Sequence, residues 1–309
     1  MPSQRIAFIG LGIMGGPMAA NLLEAGYDVV GFNRSDEALE RLEQAGGSRA
    51  ATIAEAVAEA DVVISMLPDS PDVEEVALGD DGIYTNAKPG TIHIDASSIR
   101  PDVSADLAKA GQEHGVRVLD APVSGGEQGA VDASLSIMVG GDKADFDEVL
   151  PLLETVGGTV VLVGPHGSGQ TVKAANQLIV AGTIELVSEA IVFLDAYGVD
   201  MEAALTVLAG GLAGNAILDR KAAGMLKRDF KPGFRIDLHH KDMGIVTAAA
   251  REKGVVLPLG AVVAQLIASV RAQGDGGLDH TALLKLADQL SGKFADTGLS
   301  GDEATPADS

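Results

Sequence analysis

The chain has 309 residues, enough for two domains of ordinary size, and its 46% apolar and 21% charged residues are typical of a globular protein. Acidic residues outnumber basic ones by 44 to 22, so the formal net charge of -22 repels nucleic-acid phosphates and anionic membranes. Aromatic residues make up only 3% of the chain, which also argues against recognition of bases by stacking. We therefore expect a partner that is neither a nucleic acid nor a membrane.

The chain contains no cysteine, which excludes disulfides, thiolate nucleophiles and Cys-ligated metals. His239 and His240 are adjacent and lack a carboxylate cluster at metal-binding spacing, so we predict no metal. The first twenty residues are largely apolar, but four glycines between positions 10 and 16 interrupt them, which indicates a strand and a turn rather than a signal peptide. No uninterrupted apolar stretch reaches the ~18 residues of a membrane span. The expected location is the cytoplasm.

The first half of the chain alternates short apolar runs with helical patterns. A helix is predicted over residues 14–25, and Ser35 is a plausible N-cap for the next one. The alternation predicts an α/β fold with a Rossmann-type, doubly wound and mostly parallel sheet. The runs that predict buried strands cover residues 5–9, 28–32, 62–66, 91–94, 116–119, 135–139 and 159–163.

The pattern changes after residue 164, where only helical patterns follow. The first is a long helix over about residues 168–197. The others cover residues 201–208, 215–226, 236–253, 258–271 and 280–290. We therefore predict a dinucleotide-binding domain over residues 1–165, an all-helical domain for substrate binding and oligomerisation over residues 166–294, and a flexible acidic tail over residues 295–309.

The segment Gly10-Leu11-Gly12-Ile13-Met14-Gly15 matches the G-x-G-x-x-G pattern. It follows a predicted strand and opens a predicted helix, which is the context of a dinucleotide-binding loop. Glycines permit the tight turn and the close approach of a pyrophosphate, while the helix N-terminus supplies N–H groups. The alternative is a glycine turn with a purely structural role.

The residues Asn33-Arg34-Ser35 end the second predicted strand, where an NAD-specific site usually carries a carboxylate for the ribose. Without that carboxylate, and with the Arg34 guanidinium available for a 2′-phosphate, the sequence favours NADP(H), with NAD(H) also possible. The alternative is that Arg34 is an ordinary solvated residue. Asp36 lies close enough in the chain to offset part of its charge.

The residues Ser124-Gly125-Gly126 follow the strand that ends near Leu119. Ligands of parallel sheets bind beyond the carboxyl ends of the strands, and a Ser-Gly-Gly turn offers a hydroxyl and backbone N–H groups to a small carboxylate. The alternative is an ordinary glycine turn.

Lys173 and Asn176 lie three residues apart on an apolar helix and so share a face. Partial burial of Lys173 would lower its pKa and make it a usable proton donor. The alternative is a lysine that snorkels at a domain edge. Lys231, Arg235 and Lys241 form a basic cluster that suggests an anion nearby, or else local salt bridges on an exposed surface.

Together these motifs resemble the β-hydroxyacid dehydrogenase family, which includes 3-hydroxyisobutyrate dehydrogenases and the branch of 2-hydroxy-3-oxopropionate (tartronate semialdehyde) reductases. The resemblance covers residues 6–290 and is carried by residues 8–15, 120–126, 169–176 and 241–243. Residues 66–71, 210–214 and 230–239 are most similar to the reductase branch. The resemblance implies an all-α second domain of the 6-phosphogluconate dehydrogenase C-terminal type.

The resemblance also implies roles. Lys173 would be the catalytic lysine, with Asn176 helping to hold the substrate, and Ser124, Gly125 and Gly126 would bind its carboxylate. Further cofactor contacts would come from Leu67, Pro68, Ser98 and Lys241. The chain departs from strictly NAD-dependent members at Asn33, where those members carry an acidic residue.

The implied activity is the NAD(P)H-dependent reduction of 2-hydroxy-3-oxopropanoate to glycerate, with Lys173 as the general acid. The substrate is then a small anionic semialdehyde or hydroxyacid, and the protein is expected to be a homo-oligomer, either a dimer or a tetramer. The alternatives are a 3-hydroxyisobutyrate dehydrogenase or a reductase of another short semialdehyde. A non-catalytic dinucleotide-binding interaction module is a further alternative, but such relatives lose the lysine.

Overall fold

The computed structural model describes residues 4–292. They form two compact units. The first contains the described residues up to Val180 together with Asp237–Ala261, and the second contains Ala181–Ile236 together with the described residues from Val262 onward. The predicted acidic tail over residues 295–309 lies outside the described residues. The predicted domain boundary near residue 165 stays a prediction; the last strand ends at Gly164, while the first compact unit also includes the beginning of the helix that follows.

The strands lie in the first unit and form one sheet. Their bounds are β1 (Arg5–Ile9), β2 (Asp28–Phe32), β3 (Ser48–Arg49), β4 (Val62–Ser65), β5 (Ile92–Asp95), β6 (Arg117–Asp120), β7 (Val123–Ser124), β8 (Leu135–Gly140) and β9 (Gly157–Gly164).

The strand order is β3-β2-β1-β4-β5-β6-β8-β7, and β9 pairs with β8. Strands β1 to β6 pair in parallel, whereas β8 is antiparallel to β6 and β7 and parallel to β9. This confirms the Rossmann-type, mostly parallel sheet. The short strands β3 and β7 were not predicted, because two residues show no periodicity.

The helices follow the predicted order closely. Their bounds are α1 (Gly15–Glu24), α2 (Asp36–Gln44), α3 (Ile53–Val57), α4 (Ser70–Leu78), α5 (Ile83–Asn86), α6 (Pro101–Glu113), α7 (Gly126–Val131), α8 (Lys143–Leu153), α9 (Ser168–Ala196), α10 (Met201–Ala209), α11 (Ala216–Leu226), α12 (Ile236–Glu252), α13 (Pro258–Val270) and α14 (Leu283–Leu290). A π-helical turn at Arg271–Asp275 follows α13, and a 3-10 turn at His280–Ala282 precedes α14. Ser35 takes the N-cap position of α2, but within the described part of the chain its side chain makes no capping hydrogen bond.

The core of the first unit lies on both faces of the sheet. In β1, Ile6 and Phe8 pack into one buried apolar cluster, while Ala7 and Ile9 pack into the other. Because both faces are covered by apolar groups, the central strands are continuous apolar runs rather than alternating ones. The second unit has its own apolar core, to which α9, α11 and α14 contribute.

Helix α9 is long and apolar enough to cross a membrane by length and composition alone. Half of its most apolar window is buried inside the protein, and the core helix of a soluble protein meets the same criteria. This helix is therefore weak evidence for a membrane span.

Candidate active site

The glycine loop between β1 and α1 is shaped by close backbone approaches. Gly10 has a φ of +97°, and a Cβ there would lie 2.3 Å from the carbonyl oxygen of Met66. A Cβ on Gly15 would lie 2.0 Å from the carbonyl oxygen of Gly10. In contrast, a Cβ on Gly12 would meet no described atom within 4 Å. Packing thus requires the first and third glycines, whereas Gly12 leaves open space at the loop.

The N-terminus of α1 suits an anion. Its first turn contains no acidic residue, and its N-cap residue, Met14, makes no side-chain capping bond within the described chain. Leu11 is buried and Ile13 is 65% exposed, so the loop has one side in the core and one side in solvent. Backbone N–H groups and the positive end of the helix dipole therefore fit a pyrophosphate at this point.

Asn33 braces the glycine loop. Its Oδ1 atom accepts a 3.0 Å hydrogen bond from the Leu11 N–H, and its Nδ2 atom donates to the carbonyl oxygen of Ser35 at 3.3 Å. Arg34 is exposed. The Asp36 carboxylate lies 3.7 Å from the Arg49 guanidinium, which partly neutralises its charge. Of the three predicted ribose-end residues, Arg34 alone offers a charged side chain to a 2′-phosphate.

The Ser-Gly-Gly turn lies at the end of β7 and the beginning of α7. Gly125 and Gly126 have φ values of +148° and +68°, which favour glycine at both positions. The Ser124 hydroxyl donates a 3.3 Å hydrogen bond to Oδ1 of Asn176 on α9. The structure thus brings the predicted carboxylate-binding turn and the predicted substrate-holding helix into direct contact.

Lys173 is buried in the first unit, with 8% of its surface exposed. Its Nζ atom donates a 2.7 Å hydrogen bond to the carbonyl oxygen of Val123. Burial lowers the pKa of Lys173 to about 8; the Asp242 carboxylate acts in the opposite direction, and the Lys241 ammonium adds to the lowering. An ammonium with this pKa gives up its proton more readily than a solvated lysine does.

A chain of polar contacts continues from Asn176 to Ser98, one of the predicted cofactor contacts. The Asn176 amide donates to Oε1 of Gln177 at 2.8 Å, and the Gln177 amide donates to Oδ2 of Asp242 at 2.5 Å. Asp242 pairs with Lys241 at 2.9 Å, and Lys241 Nζ also donates to the carbonyl oxygen of Ser98 at 2.5 Å. The predicted residues Ser98, Asn176 and Lys241 are therefore linked through two side chains, Gln177 and Asp242, that were not predicted.

The predicted segment at Leu67 and Pro68 is tied to the end of β5. The Leu67 N–H donates a 2.9 Å hydrogen bond to the hydroxyl of Ser97, while the N–H of Ser97 donates to Oδ1 of Asp95 at 3.2 Å. Burial raises the pKa of Asp95 to about 6. Hydrogen bonds from Ser65 and Ser97 lower this pKa in part, while the charge of Asp120 raises it further. The hydroxyl that holds this segment belongs to Ser97, the neighbour of the predicted cofactor contact Ser98.

The beginning of α9 is capped by Asp120, the last residue of β6. Its Oδ1 atom accepts the Gly167 N–H at 2.8 Å and its Oδ2 atom accepts the Gln170 N–H at 3.0 Å. A Cβ on Gly169 would lie 2.2 Å from the carbonyl oxygen of Met138, so this helix start packs directly against β8. The carboxylate thereby fixes the helix that carries Lys173.

Three of the side chains that sequence reasoning missed carried a usable signal. Gln170 and Gln177 lie three residues before and four residues after Lys173, which places them on the same helix face. Asp242 directly follows Lys241 in the chain. Their positions, on the Lys173 face of an apolar helix or next to Lys241, therefore marked all three as candidate site residues.

Two family models match the chain. The model for the NAD-binding domain of 6-phosphogluconate dehydrogenase matches residues 5–164. The model for the NAD-binding domain of NADP-dependent 3-hydroxyisobutyrate dehydrogenase matches residues 167–287. The two models together cover the glycine loop, the Ser-Gly-Gly turn and the helix that carries Lys173.

Several named proteins are similar over most of their length. The chain is 42% identical over 287 residues to a 2-hydroxy-3-oxopropionate reductase from Escherichia coli (strain K12), covering 93% of this chain and 98% of that protein. It is 36% identical over 297 residues to an NAD-dependent L-serine dehydrogenase from Pseudomonas aeruginosa, covering 94% and 100%. Among solved structures, a 3-hydroxyisobutyrate dehydrogenase from Mycobacterium tuberculosis with L-serine matches with a TM-score of 0.84 and 34% identity, covering 92% and 99%.

Proposed function

Because this chain belongs to the β-hydroxyacid dehydrogenases, a family of NAD(P)-binding oxidoreductases, we propose that it reduces 2-hydroxy-3-oxopropanoate to glycerate. The same enzyme would oxidise glycerate in reverse. The observation that carries the proposal is the buried Lys173, whose pKa is lowered to about 8 next to the Ser124 turn. A 42% identity to a reductase of this name supports the choice of substrate.

The cofactor would be held by the glycine loop over residues 10–15 and by the N-terminus of α1. The open space at Gly12 and the absence of acidic residues in the first turn of α1 fit a pyrophosphate. Leu67, Pro68, Ser98 and Lys241 would make further contacts. When bound, a reduced nicotinamide supplies a hydride to the aldehyde carbon.

The substrate carboxylate would bind at the Ser-Gly-Gly turn, where the Ser124 hydroxyl and the backbone of Gly125 and Gly126 lie together. In a protein with a net charge of -22, capture of an anion depends on such local donors and on the nearby ammonium groups of Lys173 and Lys241. Asn176, in contact with Ser124, would help to hold the substrate. Fixing the carboxylate orients the aldehyde for reaction.

Lys173 would protonate the aldehyde oxygen as the carbon becomes reduced. The C=O bond becomes a CH–OH group, the proton leaves Nζ of Lys173, and the neutral amine recovers a proton from solvent. A positioned general acid contributes typically ~10²–10⁴-fold to the rate. In the oxidation direction, the neutral amine would accept the proton from the hydroxyl.

A second candidate is another short β-hydroxyacid. Glycerate, serine and 3-hydroxyisobutyrate share a carboxylate and a β-hydroxyl and differ at C2, which carries a hydroxyl, an ammonium or a methyl group. The 36% identity to an L-serine dehydrogenase and the likeness to a 3-hydroxyisobutyrate dehydrogenase structure keep the other two in consideration. The residues that bind the carboxylate and donate the proton would serve all three.

A steady-state panel tests the proposal directly. The purified enzyme is assayed with the three hydroxyacids in oxidation and with 2-hydroxy-3-oxopropanoate and other C3–C4 semialdehydes in reduction, each with NADP(H) and NAD(H). We expect the highest kcat/KM for the glycerate pair. A kcat/KM at least about tenfold higher for serine or 3-hydroxyisobutyrate would assign the other substrate, since this difference corresponds to about 1.4 kcal/mol.

The predicted preference for NADP(H) and the predicted homo-oligomer belong to the same proposal. Asn33 and Arg34 support the preference for NADP(H), because neither side chain repels a 2′-phosphate.

The homo-oligomer is supported by exposed apolar residues at seven-residue intervals on α9, the spacing that forms a stripe between paired helices. The exposed fractions are 67% for Ile179, 56% for Leu186 and 62% for Phe193.

A further inference from the structure

Gln170 bridges two backbone groups that lie on either side of Ser98. Its Nε2 atom donates a 2.8 Å hydrogen bond to the carbonyl oxygen of Ser97. Its Oε1 atom accepts a 3.1 Å hydrogen bond from the Ile99 N–H. The side chain is 1% exposed, so both bonds are shielded from water. One amide thus holds both neighbours of the residue predicted to contact the cofactor.

The same glutamine lies on the helix of the proposed proton donor. Gln170 precedes Lys173 by three residues, within one turn of α9. The backbone N–H of Gln170 is itself fixed by the Asp120 carboxylate at 3.0 Å. Gln170 therefore ties the 97–99 segment directly to the restrained helix start that carries Lys173.

We propose that Gln170 is a positioning residue that holds the cofactor-binding segment around Ser98 at a fixed distance from the proton donor Lys173. This inference rests on the proposed function, in which the segment contacts the cofactor and Lys173 donates the proton. Lys241 holds the carbonyl oxygen of Ser98 from α12, so the two side chains together restrain three consecutive residues. Reduction requires hydride and proton to arrive at adjacent atoms, and the rate of such a step is sensitive to small displacements.

Glutamine suits this role because it is both a donor and an acceptor at the same chain length. Methionine has a similar volume but donates nothing, so Gln170→Met leaves the Ser97 carbonyl without its donor and the Ile99 N–H without a strong acceptor. Glutamate keeps the acceptor for Ile99 and gains a donor only when its carboxyl is protonated. Burial beside Asp120 raises the pKa of a carboxyl at this position.

The experiment compares Gln170→Met and Gln170→Glu with two controls. Gln112→Met makes the same chemical change at an exposed position of α6, and Val149→Ala destabilises the buried apolar core from α8. The measurements are the dissociation constant of NADPH, followed by its fluorescence, and the steady-state kcat and KM. Cofactor binding needs no substrate, so it reports on Gln170 whatever the enzyme reduces.

For Gln170→Met we expect NADPH to bind about tenfold more weakly and kcat to fall about tenfold or more, because two buried hydrogen bonds are lost. The KM of the semialdehyde should change by less than about twofold, because the Ser124 turn is not touched. For Gln170→Glu, kcat relative to that of the wild type should increase as the pH falls, because protonation gives the carboxyl its hydrogen-bond donor. Both controls should keep the wild-type NADPH affinity and kcat.

Wild-type NADPH affinity in Gln170→Met overturns the inference, as does an equal loss in Val149→Ala, which would make the effect one of general stability. If Gln170→Met weakens NADPH while the wild-type enzyme turns over no short semialdehyde or hydroxyacid, the inference stands and the proposed function fails. A raised KM with an unchanged kcat would place Gln170 in substrate binding and would also overturn the positioning role.

Discussion

The Nζ atom of Lys173 lies 2.7 Å from the carbonyl oxygen of Val123, the residue that precedes Ser124. This hydrogen bond joins the proposed proton donor to the proposed carboxylate-binding turn. A substrate carboxylate at the turn would therefore lie at a fixed distance from the ammonium group. The burial that creates this contact also lowers the pKa of Lys173 to about 8, which makes the pH dependence a direct test.

Reduction requires protonated Lys173, so kcat/KM for the semialdehyde should fall as the pH rises through about 8. Oxidation requires the neutral amine and should rise over the same interval. Lys173→Ala should bind NADPH normally, lose at least ~10²-fold in kcat and lose this pH dependence. The exposed Lys109→Ala serves as the control. Near-normal turnover by Lys173→Ala would remove the residue from the mechanism.

Burial of the same ammonium has a cost in stability. The pKa of Lys173 falls from 10.5 to about 8 on folding, so below pH 8 the charged form destabilises the fold by about 3 kcal/mol. The penalty disappears as the pH rises towards 10.5, where the unfolded chain is also losing its proton. Lys173→Met removes the penalty but leaves the Val123 carbonyl without its donor, which costs about 1–3 kcal/mol.

We therefore expect Lys173→Met to be inactive yet at least as stable as the wild type near neutral pH. Urea unfolding at about pH 7 and about pH 10 checks this, since the advantage of the variant should shrink at the higher pH. A variant that is less stable than the wild type at neutral pH would show that the ammonium is compensated in the fold.

Ser124→Ala should raise the KM for the semialdehyde by about tenfold or more, because a hydrogen bond to a charged carboxylate is worth about 1.5–3 kcal/mol. The KM for the cofactor should stay near its wild-type value. The exposed Ser134→Ala makes the same change ten residues further along the chain and should alter neither constant. Unchanged constants in both variants would mean that the carboxylate binds elsewhere.

In the second unit, Asp279 fixes the loop before α12. Its Oδ2 atom accepts hydrogen bonds from the N–H groups of Gly233 and Phe234 and from Lys221, and its Oδ1 atom accepts from Thr281. The side chain is 2% exposed. In Asp279→Asn the side-chain NH₂ group would face N–H, O–H and ammonium groups that need an acceptor. We therefore expect the unfolding free energy to fall by about 2–4 kcal/mol.

The loss should depend on pH with a defined sign. Burial by itself raises the pKa of Asp279, but His280, the Gly233 N–H and Lys221 outweigh it and lower the pKa to about 2. The charged form therefore stabilises the fold fully above the unfolded pKa of about 3.9, and this contribution declines as the pH falls through about 2. Asp147→Asn breaks an exposed ion pair and should cost less than about 0.5 kcal/mol at any of these pH values. Equal effects of the two variants would contradict the role of Asp279.

The sequence predicted the longer strands and helices because apolar runs and helical periodicity are local signals. It also identified the glycine loop. A side chain on Gly15 would collide with the Gly10 carbonyl, and one on Gly10 with the carbonyl of Met66, which follows the neighbouring strand β4. The short β7 escaped notice because Val123 pairs with Ile137 and Ser124 with Ser136, partners in β8 that local patterns do not reveal.

The connections within the site were beyond local patterns. Lys241 reaches Ser98 across 143 residues of sequence, Gln170 reaches Ile99 across 71, and Gln177 reaches Asp242 across 65. Each pair depends on how α9 and α12 pack against the strand ends, which no single segment determines. Asn33 illustrates the same limit, because its position in the chain did not reveal that its side chain accepts a hydrogen bond from the Leu11 N–H.

The last prediction concerns the ribose end of the cofactor. The Oδ1 atom of Asn33 is engaged by Leu11, so this side chain neither holds a ribose diol as a carboxylate would nor repels a phosphate. Asp36 lies 3.7 Å from Arg49, and the Arg34 side chain is exposed. The 2′-phosphate of NADPH would therefore depend mainly on the Arg34 guanidinium.

Arg34→Ala should weaken NADPH binding by about tenfold to a hundredfold, since a charge-assisted contact is worth about 1.5–3 kcal/mol, while NADH binding should stay nearly unchanged. The net charge of -22 and the nearby Asp36 favour the lower end of this range. Arg41→Ala on α2 removes an exposed arginine already paired with Glu37 at 2.7 Å and is the matched control. Dissociation constants of both cofactors for the wild type and the two variants provide the test.

Equal losses for NADPH and NADH in Arg34→Ala would place Arg34 against a part that both cofactors share, such as the adenine ring. Tighter binding of NADH than of NADPH by the wild type would refute the proposed preference.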